Sequence, residues 1–86
     1  LDHVKTTYFE KHKFYHFDAW RVQSKEDLDM LKFYDWFESG NVIIIEWPSV
    51  VMNLDQEFFE KINYYYLEFV QLDNDSREIK IFEINN

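Results

Sequence analysis

The sequence predicts an α/β fold: a mixed sheet with flanking short helices and a β-hairpin at the carboxyl end. Four observations lead to this expectation. Residues 13–20 alternate between two faces as a strand does, and residues 24–40 carry a helical pattern. Residues 42–45 are a short run of Val and Ile, and two long strand-like segments follow around an Asp-Asn-Asp-Ser turn. A helix between strands, followed by a hairpin, predicts a sheet with both parallel and antiparallel neighbours.

The length and the aromatic content set limits on the organisation of the chain. Its 86 residues allow one small domain, residues 1–86. Aromatic residues make up 21% of the chain, which is more than so small a domain buries easily. We therefore expect part of this surface to face a partner or another part of the same protein. Because the first residue is Leu rather than Met, we expect the chain to be a fragment or a processed product.

The charge balance excludes several classes of function. The net charge is −8, from nine Lys plus Arg and seventeen Asp plus Glu. We therefore expect neither direct nucleic-acid binding nor attachment to an anionic membrane surface. An acidic chain suits a bound cation or a basic protein partner. There is no cysteine, so disulfides and thiolate chemistry are excluded.

The first two strand segments are predicted at residues 4–9 and 13–20, joined by a charged turn at residues 10–12. Aromatic residues favour strand structure in the second segment. Its period of two places alternate side chains on opposite faces. Phe14, His16, Asp18 and Trp20 share one face, and Tyr15, Phe17 and Ala19 share the other.

A helix is predicted from Ser24 to Gly40. Ser24 is a favoured N-cap residue, and Asp27 occupies the capping-box position. Gly40 is a typical stop signal. The helical spacing is carried by Leu28, Leu31 and Asp35, widened by Met30, Tyr34 and Phe37.

The second half of the chain is predicted to contain a central strand, a short helix and a hairpin. Residues 42–45 are apolar on both faces, which is typical of a central, buried strand. Pro48 ends the ladder and turns the chain away. A short helix is predicted within residues 54–61, and strands at residues 62–72 and 77–84 form the hairpin.

Two predicted strands end in a carboxylate. Glu46 follows the Val/Ile run, and Asp18 closes the earlier strand. In open α/β sheets, ligands bind just outside the carboxyl ends of the strands, and a carboxylate there commonly holds Mg²⁺. If the two strands are parallel, both acids meet in one crevice. The alternative is that each acid is a solvated strand terminus or caps the next turn.

Three segments carry a family resemblance: "YHFDAWR" at residues 15–21, "EDLDMLKFYDWF" at 26–37 and "VIIIEWP" at 42–48. In this order they resemble the TsaE/YjeE family, the ATPases of tRNA threonylcarbamoyladenosine biosynthesis. That family shows a Tyr-His-x-Asp-x-Tyr-Arg motif, an acidic helix and a hydrophobic strand that ends in Glu-Trp-Pro. The resemblance covers residues 14–48 well and the hairpin only in outline.

The resemblance implies a P-loop NTPase-like sheet with Mg²⁺ and ATP as cofactors. It implies that Glu46 is a Walker-B-like acid and that Asp18 is the acid of the His-x-Asp motif, both catalytic and both near Mg²⁺. Trp47 would flank the nucleotide. His16 and Arg21 match motif positions without an assigned role. For His16 the alternative is a hydrogen bond to a neighbour, and for Arg21 an ion pair with a nearby acid.

The sequence also departs from the family pattern. Lys32 stands where the family often has Gly between two short helices, so the helix is expected to continue through it. Ser49 replaces the acid or amide that usually follows the Pro. The family's Gly-x-x-x-x-Gly-Lys-Thr loop does not occur in the 86 residues. The resemblance therefore implies the C-terminal half of such a protein, which should not hydrolyse ATP alone.

Two functions remain open at this point. In the first, the chain is part of a TsaE-like ATPase that supports threonylcarbamoyladenosine formation at tRNA position 37. Its partners would be a TsaB–TsaD-like complex and the missing N-terminal half, in the cytoplasm, or in an organelle if the source is eukaryotic. Neither direct nucleic-acid contact nor a membrane is expected. In the second, it is a non-enzymatic acidic protein-interaction module derived from this fold.

Overall fold

The computed structural model describes residues 4–86. The chain divides into two compact units, one ending at Gln56 and the other spanning Glu57–Asn86. The expectation of a single domain over residues 1–86 remains a prediction. Within the described residues, no helix is long and apolar enough to cross a membrane.

The first unit is built on a three-stranded mixed sheet. Strand β1 (Val4–Phe9) is antiparallel to β2 (His12–Asp18), and β2 is parallel to β3 (Val42–Glu46). The order is β1-β2-β3. Because a parallel neighbour requires a long crossover, residues 19–41 leave one end of the sheet and return to the other. The predicted α/β class with a mixed sheet is confirmed.

An aromatic cluster covers one face of this sheet. The rings of Tyr15 and Trp36 are stacked with centroids 4.7 Å apart, and Trp36 meets Phe17 edge-on at 5.3 Å. Phe33 completes the cluster, 5.2 Å from Trp36 and 5.7 Å from Phe17. Each offset or edge-to-face pair contributes about 0.5–1.5 kcal/mol beyond its burial. Large rings thus give a small unit a core.

The predicted alternation along β2 is confirmed, because Tyr15, Phe17 and Ala19 are all buried. The prediction that β3 is buried on both faces is wrong. Val42 and Ile44 are about half exposed. β3 is the outer strand of the described sheet, and Phe14 on the same face of β2 is exposed as well.

Helix α1 spans Lys25–Met30 and begins at the predicted cap. The Ser24 hydroxyl accepts a hydrogen bond from the backbone N–H of Asp27 at 3.3 Å. The Asp27 carboxylate accepts one from the N–H of Gln23 at 2.9 Å, one residue before the usual capping-box partner. Both bonds fix the point at which the chain turns into the helix.

The predicted continuous helix to Gly40 is wrong. The helix stops at Met30, Lys32 adopts a left-handed conformation with φ 57° and ψ 39°, and a 3₁₀ helix follows at Phe33–Trp36. The break shifts the helical phase, so that Phe33 and Trp36 reach the core while Met30 is exposed. Lys32 has the backbone geometry that Gly favours.

The return into β3 depends on two neighbouring residues. Gly40 has φ 89°, and a Cβ there would collide with the imidazole of His12. Asn41 accepts a hydrogen bond from the N–H of Lys13 at 2.9 Å and donates one to the carbonyl of Trp36 at 3.1 Å. Asn41 therefore ties the start of β3 to β2 and to the 3₁₀ helix.

Two short helices follow β3. Helix α2 spans Pro48–Leu54 and α3 spans Gln56–Phe59. Of the helix predicted within residues 54–61, α3 is the part observed. Helix α2 was missed, because Pro48 stops a strand but is also well suited to the first turn of a helix.

A hydrogen bond from Tyr34 links the end of α2 to the 3₁₀ helix. The Tyr34 hydroxyl donates to Asp55 Oδ2 at 2.7 Å, and Lys25 Nζ lies 3.5 Å from the same oxygen. Burial raises the pKa of Tyr34 well above its ordinary value, and the hydrogen bond to the Asp55 carboxylate raises the pKa further. The neutral phenol is therefore the form that the fold stabilises.

The second unit contains the predicted hairpin. Strand β4 (Tyr64–Gln71) is antiparallel to β5 (Arg77–Ile84). At the turn, Asp73 Oδ1 accepts hydrogen bonds from the N–H groups of Asp75 and Ser76, both at 2.8 Å. These hydrogen bonds lower the pKa of Asp73. The hairpin prediction is confirmed.

Replacing Lys32 with Gly should stabilise the protein. A left-handed backbone costs a non-glycine residue about 1–2 kcal/mol, whereas the added freedom of Gly in the unfolded chain costs only about 0.4–1 kcal/mol. We expect the free energy of unfolding of Lys32→Gly to rise by about 0.5–1 kcal/mol in urea denaturation. Lys32→Ala, which keeps the strain, is the control and should show no gain. Equal stability of both variants would contradict strain at this position.

Replacing Tyr34 with Phe should destabilise the protein by about 1–2 kcal/mol at neutral pH, because the hydrogen bond to a carboxylate is lost. The pKa of Tyr34 is higher in the folded than in the unfolded state, so this stabilisation is complete below about pH 10 and declines as the pH rises further. The difference in unfolding free energy between wild type and Tyr34→Phe should shrink accordingly. Tyr65→Phe, at an exposed ring, is the control and should show no such pH dependence.

Candidate functional site

The parallel pairing of β2 and β3 brings the two strand-end acids together. Asp18 and Glu46 are direct partners in the register. The next residue continues the alignment, since the N–H of Ala19 donates to the carbonyl of Glu46 at 3.1 Å. The two acids therefore lie side by side at the carboxyl ends of neighbouring parallel strands, as expected for parallel pairing, while a common crevice remains a prediction. Their catalytic and metal-binding roles remain predictions.

The chain turns sharply after Asp18. The N–H of Trp20 lies 3.4 Å from Asp18 Oδ1, and the N–H of Val22 donates to the carbonyl of Ala19 at 3.0 Å. A short aspartate side chain that accepts from the backbone two residues later favours such a turn. Asp18 thus ends the strand with one oxygen directed to the backbone.

His16 lies beside Glu46. Its Nε2 is 3.5 Å from Glu46 Oε1, and the two side chains are 46% and 56% exposed. Since His16 is paired with Ile44 in the register, Glu46 is its diagonal neighbour on the open face. An exposed pair of this kind adds little stability. His16 therefore contacts a neighbouring side chain, which is close to the alternative considered for it in the sequence.

Arg21 does not form the ion pair considered for it. Its guanidinium carbon lies 4.7 Å from the centroid of the Trp20 ring. Within residues 4–86, no carboxylate lies within ion-pairing distance of Arg21. The contact is a cation–π interaction at an exposed site. It places a cation and an indole ring just beyond the Asp18 turn.

Trp47 follows Glu46 in a strained conformation. Its φ of 58° and ψ of 50° are left-handed, and the residue is 62% exposed. For a bulky side chain this backbone region is unfavourable, and such strain is often retained at functional sites. The strain allows α2 to start directly at Pro48. An exposed indole therefore stands next to the acid pair.

Asp18 and Glu46 offer carboxylate oxygens that suit a cation such as Mg²⁺, which takes its other ligands from water and phosphates. Across residues 4–86, no group of three or more His, Cys, Asp or Glu is placed to hold a metal ion. Mg²⁺ is commonly bound through one or two carboxylates, with water and substrate phosphates as the other ligands. The carboxylates of Asp18 and Glu46 match this requirement.

Comparison with known proteins connects these features. The family profile described as threonylcarbamoyl adenosine biosynthesis protein TsaE matches residues 3–79. The chain belongs to the TsaE family. The match extends far beyond residues 14–48 and includes β4 and the start of β5. It confirms the resemblance and assigns the chain, at the level of the family, to the biosynthesis of threonylcarbamoyladenosine in tRNA. Comparisons with curated proteins and with solved structures gave no match.

Sequence reasoning missed two features of this edge in the TsaE chain. The contact between His16 and Glu46 could have been found from the period of two, which places His16 and Asp18 on one face beside the strand that ends at Glu46. The left-handed Trp47 had no comparable signal, because tryptophan has no preference for that conformation.

Replacing Trp47 with Gly should stabilise the isolated chain if strain is retained there for function. Glycine removes the left-handed strain and is acceptable at a helix N-cap, and the exposed ring gives up little burial. We expect the free energy of unfolding to rise by about 0.5–1 kcal/mol. Trp47→Ala, which loses the ring and keeps the strain, should show no gain. A clear loss of stability in Trp47→Gly would indicate a structural role for the ring.

Proposed function

We propose that this chain supplies the acidic side of the ATP site in a TsaE-type ATPase that supports threonylcarbamoyladenosine formation in tRNA. The observation that carries the proposal is the register of β2 and β3, which sets Asp18 beside Glu46 at one edge of the sheet. The family membership supports it independently. In this proposal Glu46 and Asp18 are the catalytic acids on the metal side, and Trp47 flanks the nucleotide.

The chemistry follows from the exposed carboxylate of Glu46. When bound, Mg²⁺ neutralises negative charge on the phosphates during phosphoryl transfer. Glu46 would hold the ion directly or through water, and His16 would orient its carboxylate from the adjacent strand. Asp18, with one oxygen near the N–H of Trp20, would supply the second acid. The register of β2 and β3 fixes the backbone positions of the two acids relative to each other.

The phosphate-binding loop must come from elsewhere. No Gly-x-x-x-x-Gly-Lys-Thr occurs in the 86 residues, and in this class the loop amides and lysine hold the phosphates. We propose that a further part of the same protein supplies it. The exposed side chains of Phe14, Val42 and Ile44 on the open face of the sheet support such a neighbour. By this account the chain alone does not hydrolyse ATP.

The charge of the chain bears on its partners. With a net charge of −8, it is poorly suited to bind the tRNA itself. We propose that it acts through a TsaB–TsaD-like protein complex in the cytoplasm. A basic surface on such a complex would complement the acidic chain.

A non-enzymatic interaction module is the second candidate. It is favoured by the absence of a phosphate loop from the 86 residues together with large exposed apolar side chains. In this case the acids would be solvated strand ends, and the sheet would serve as a docking surface.

Replacing Glu46 with Gln separates the two candidates. The variant is prepared in a protein that joins this chain to its phosphate-loop segment. Gln keeps the size but loses the charge, so turnover should fall roughly 10²–10³-fold, equivalent to about 3–4 kcal/mol of barrier. Nucleotide affinity should fall only modestly, because the loop amides hold the phosphates. Steady-state ATPase rates are measured beside nucleotide binding and a melting curve.

The matched control is Glu60→Gln, which removes an exposed acid at a distance in sequence from both strand ends. It should leave turnover unchanged. Near-normal turnover in a folded Glu46→Gln protein would remove Glu46 from the mechanism and favour the interaction module.

A further inference from the structure

The β4–β5 hairpin has one face that is apolar and uncovered. The register and the alternation of strands place four residues of each strand on this face, which we call the open hairpin face. Its members are Tyr65, Leu67, Phe69, Gln71, Arg77, Ile79, Ile81 and Glu83. All are exposed; Phe69 is 67% and Ile81 64% exposed. A contiguous apolar patch on a protein surface is often a site of interaction.

The opposite face of the hairpin is less exposed than the open hairpin face: its apolar residues Tyr66 and Phe82 are 37% and 45% exposed. Tyr64 meets the buried Phe59 edge-on at 6.0 Å. The charges of this face also pair with each other, since Lys80 Nζ lies 3.9 Å from Glu78. A two-stranded hairpin is marginally stable without cover on a hydrophobic face. The open hairpin face is therefore where further burial would stabilise the unit most.

The charges on the open hairpin face identify what could cover it. Arg77 and Glu83 lie on β5 at opposite ends of the apolar patch, about 20 Å apart at ~3.4 Å per residue. In the described part of the chain, neither has an ion-pair partner within 4.0 Å. One cation and one anion at opposite ends make the face neutral, which gives a strongly basic partner no advantage. The same arrangement is complementary to a copy of itself.

We propose that the open hairpin face is a self-association surface, covered by the same face of a second copy of this chain. A two-fold axis across the strands stacks β5 on β5 in opposite directions. Arg77 of each copy then lies over Glu83 of the other, and the apolar centre of Leu67, Phe69, Ile79 and Ile81 is shared. Such an interface is isologous and closes at two copies.

The size of the face predicts a weak dimer. An eight-residue hairpin offers a footprint of roughly 27 Å by about 10–15 Å, or about 300–400 Å² for each copy. This is below the roughly 800 Å² per partner of a stable complex. Association should therefore be visible only at high concentration, in a range of about 0.1–1 mM. The proposal is independent of the ATPase proposal.

Sedimentation velocity at physiological salt, from about 10 µM to about 1 mM, tests the surface. The wild type should shift towards the mass of a dimer as the concentration rises. Ile81→Lys should abolish the shift, whereas Lys80→Glu, on the opposite face, should retain it. Circular dichroism checks that each variant keeps its strands. A wild type that stays monomeric at about 1 mM would overturn the proposal, as would a dimer that persists in Ile81→Lys.

A charge exchange tests the orientation. Arg77→Glu and Glu83→Arg should each weaken dimerisation at least about tenfold, because each places two pairs of like charges across the interface. The two substitutions change the net charge in opposite directions, so a general charge effect cannot weaken both. The double variant keeps the net charge of −8 and should recover affinity to within about threefold of wild type. A double variant as weak as the singles would overturn the proposed stacking.

Discussion

The parallel pairing of β2 with β3 is the constraint on which the site depends. A slip of one residue would move Glu46 to the opposite face and away from Asp18, because side chains alternate along a strand. The register is held by burial on the core face, where Tyr15 and Phe17 pack on the aromatic cluster, and by the bond from the N–H of Ala19 to the carbonyl of Glu46. The long crossover that parallel pairing requires also supplies Phe33 and Trp36 to that cluster. Core and site are therefore consequences of one topology.

Much of this arrangement could be predicted from the sequence, because it rests on strong local patterns. Alternation identified the buried side of β2, the Val/Ile run located β3, and Ser24 marked the start of α1. The turn at Asp73 separated β4 from β5. The order of the motifs also predicted that Asp18 and Glu46 belong to one site. The exposure of one face of β3 could not be predicted in this way. A hydrophobic run indicates that both faces of a strand are covered, but not which part of a protein covers them.

The errors at residues 31–40 and 47–54 share a physical cause, which is backbone conformation imposed against residue preference. Lysine is a good helix former, so its own preference does not predict the left-handed break that rotates Phe33 and Trp36 into the core. Trp47 adopts the same conformation, and Pro48 then opens a helix in place of a loop. At both positions the surrounding structure overrides the preference of the residue, and at Trp47 the strain lies next to the candidate acids.

The pairing of β2 with β3 can be tested directly by nuclear magnetic resonance. A through-hydrogen-bond scalar coupling joins an amide nitrogen to the carbonyl carbon of its acceptor. We expect such a coupling between the nitrogen of Ala19 and the carbonyl carbon of Glu46, together with slow exchange of the Ala19 amide. Coupling of Ala19 to another carbonyl would show a different register. A fast-exchanging Ala19 amide without any coupling would contradict the alignment of Asp18 with Glu46.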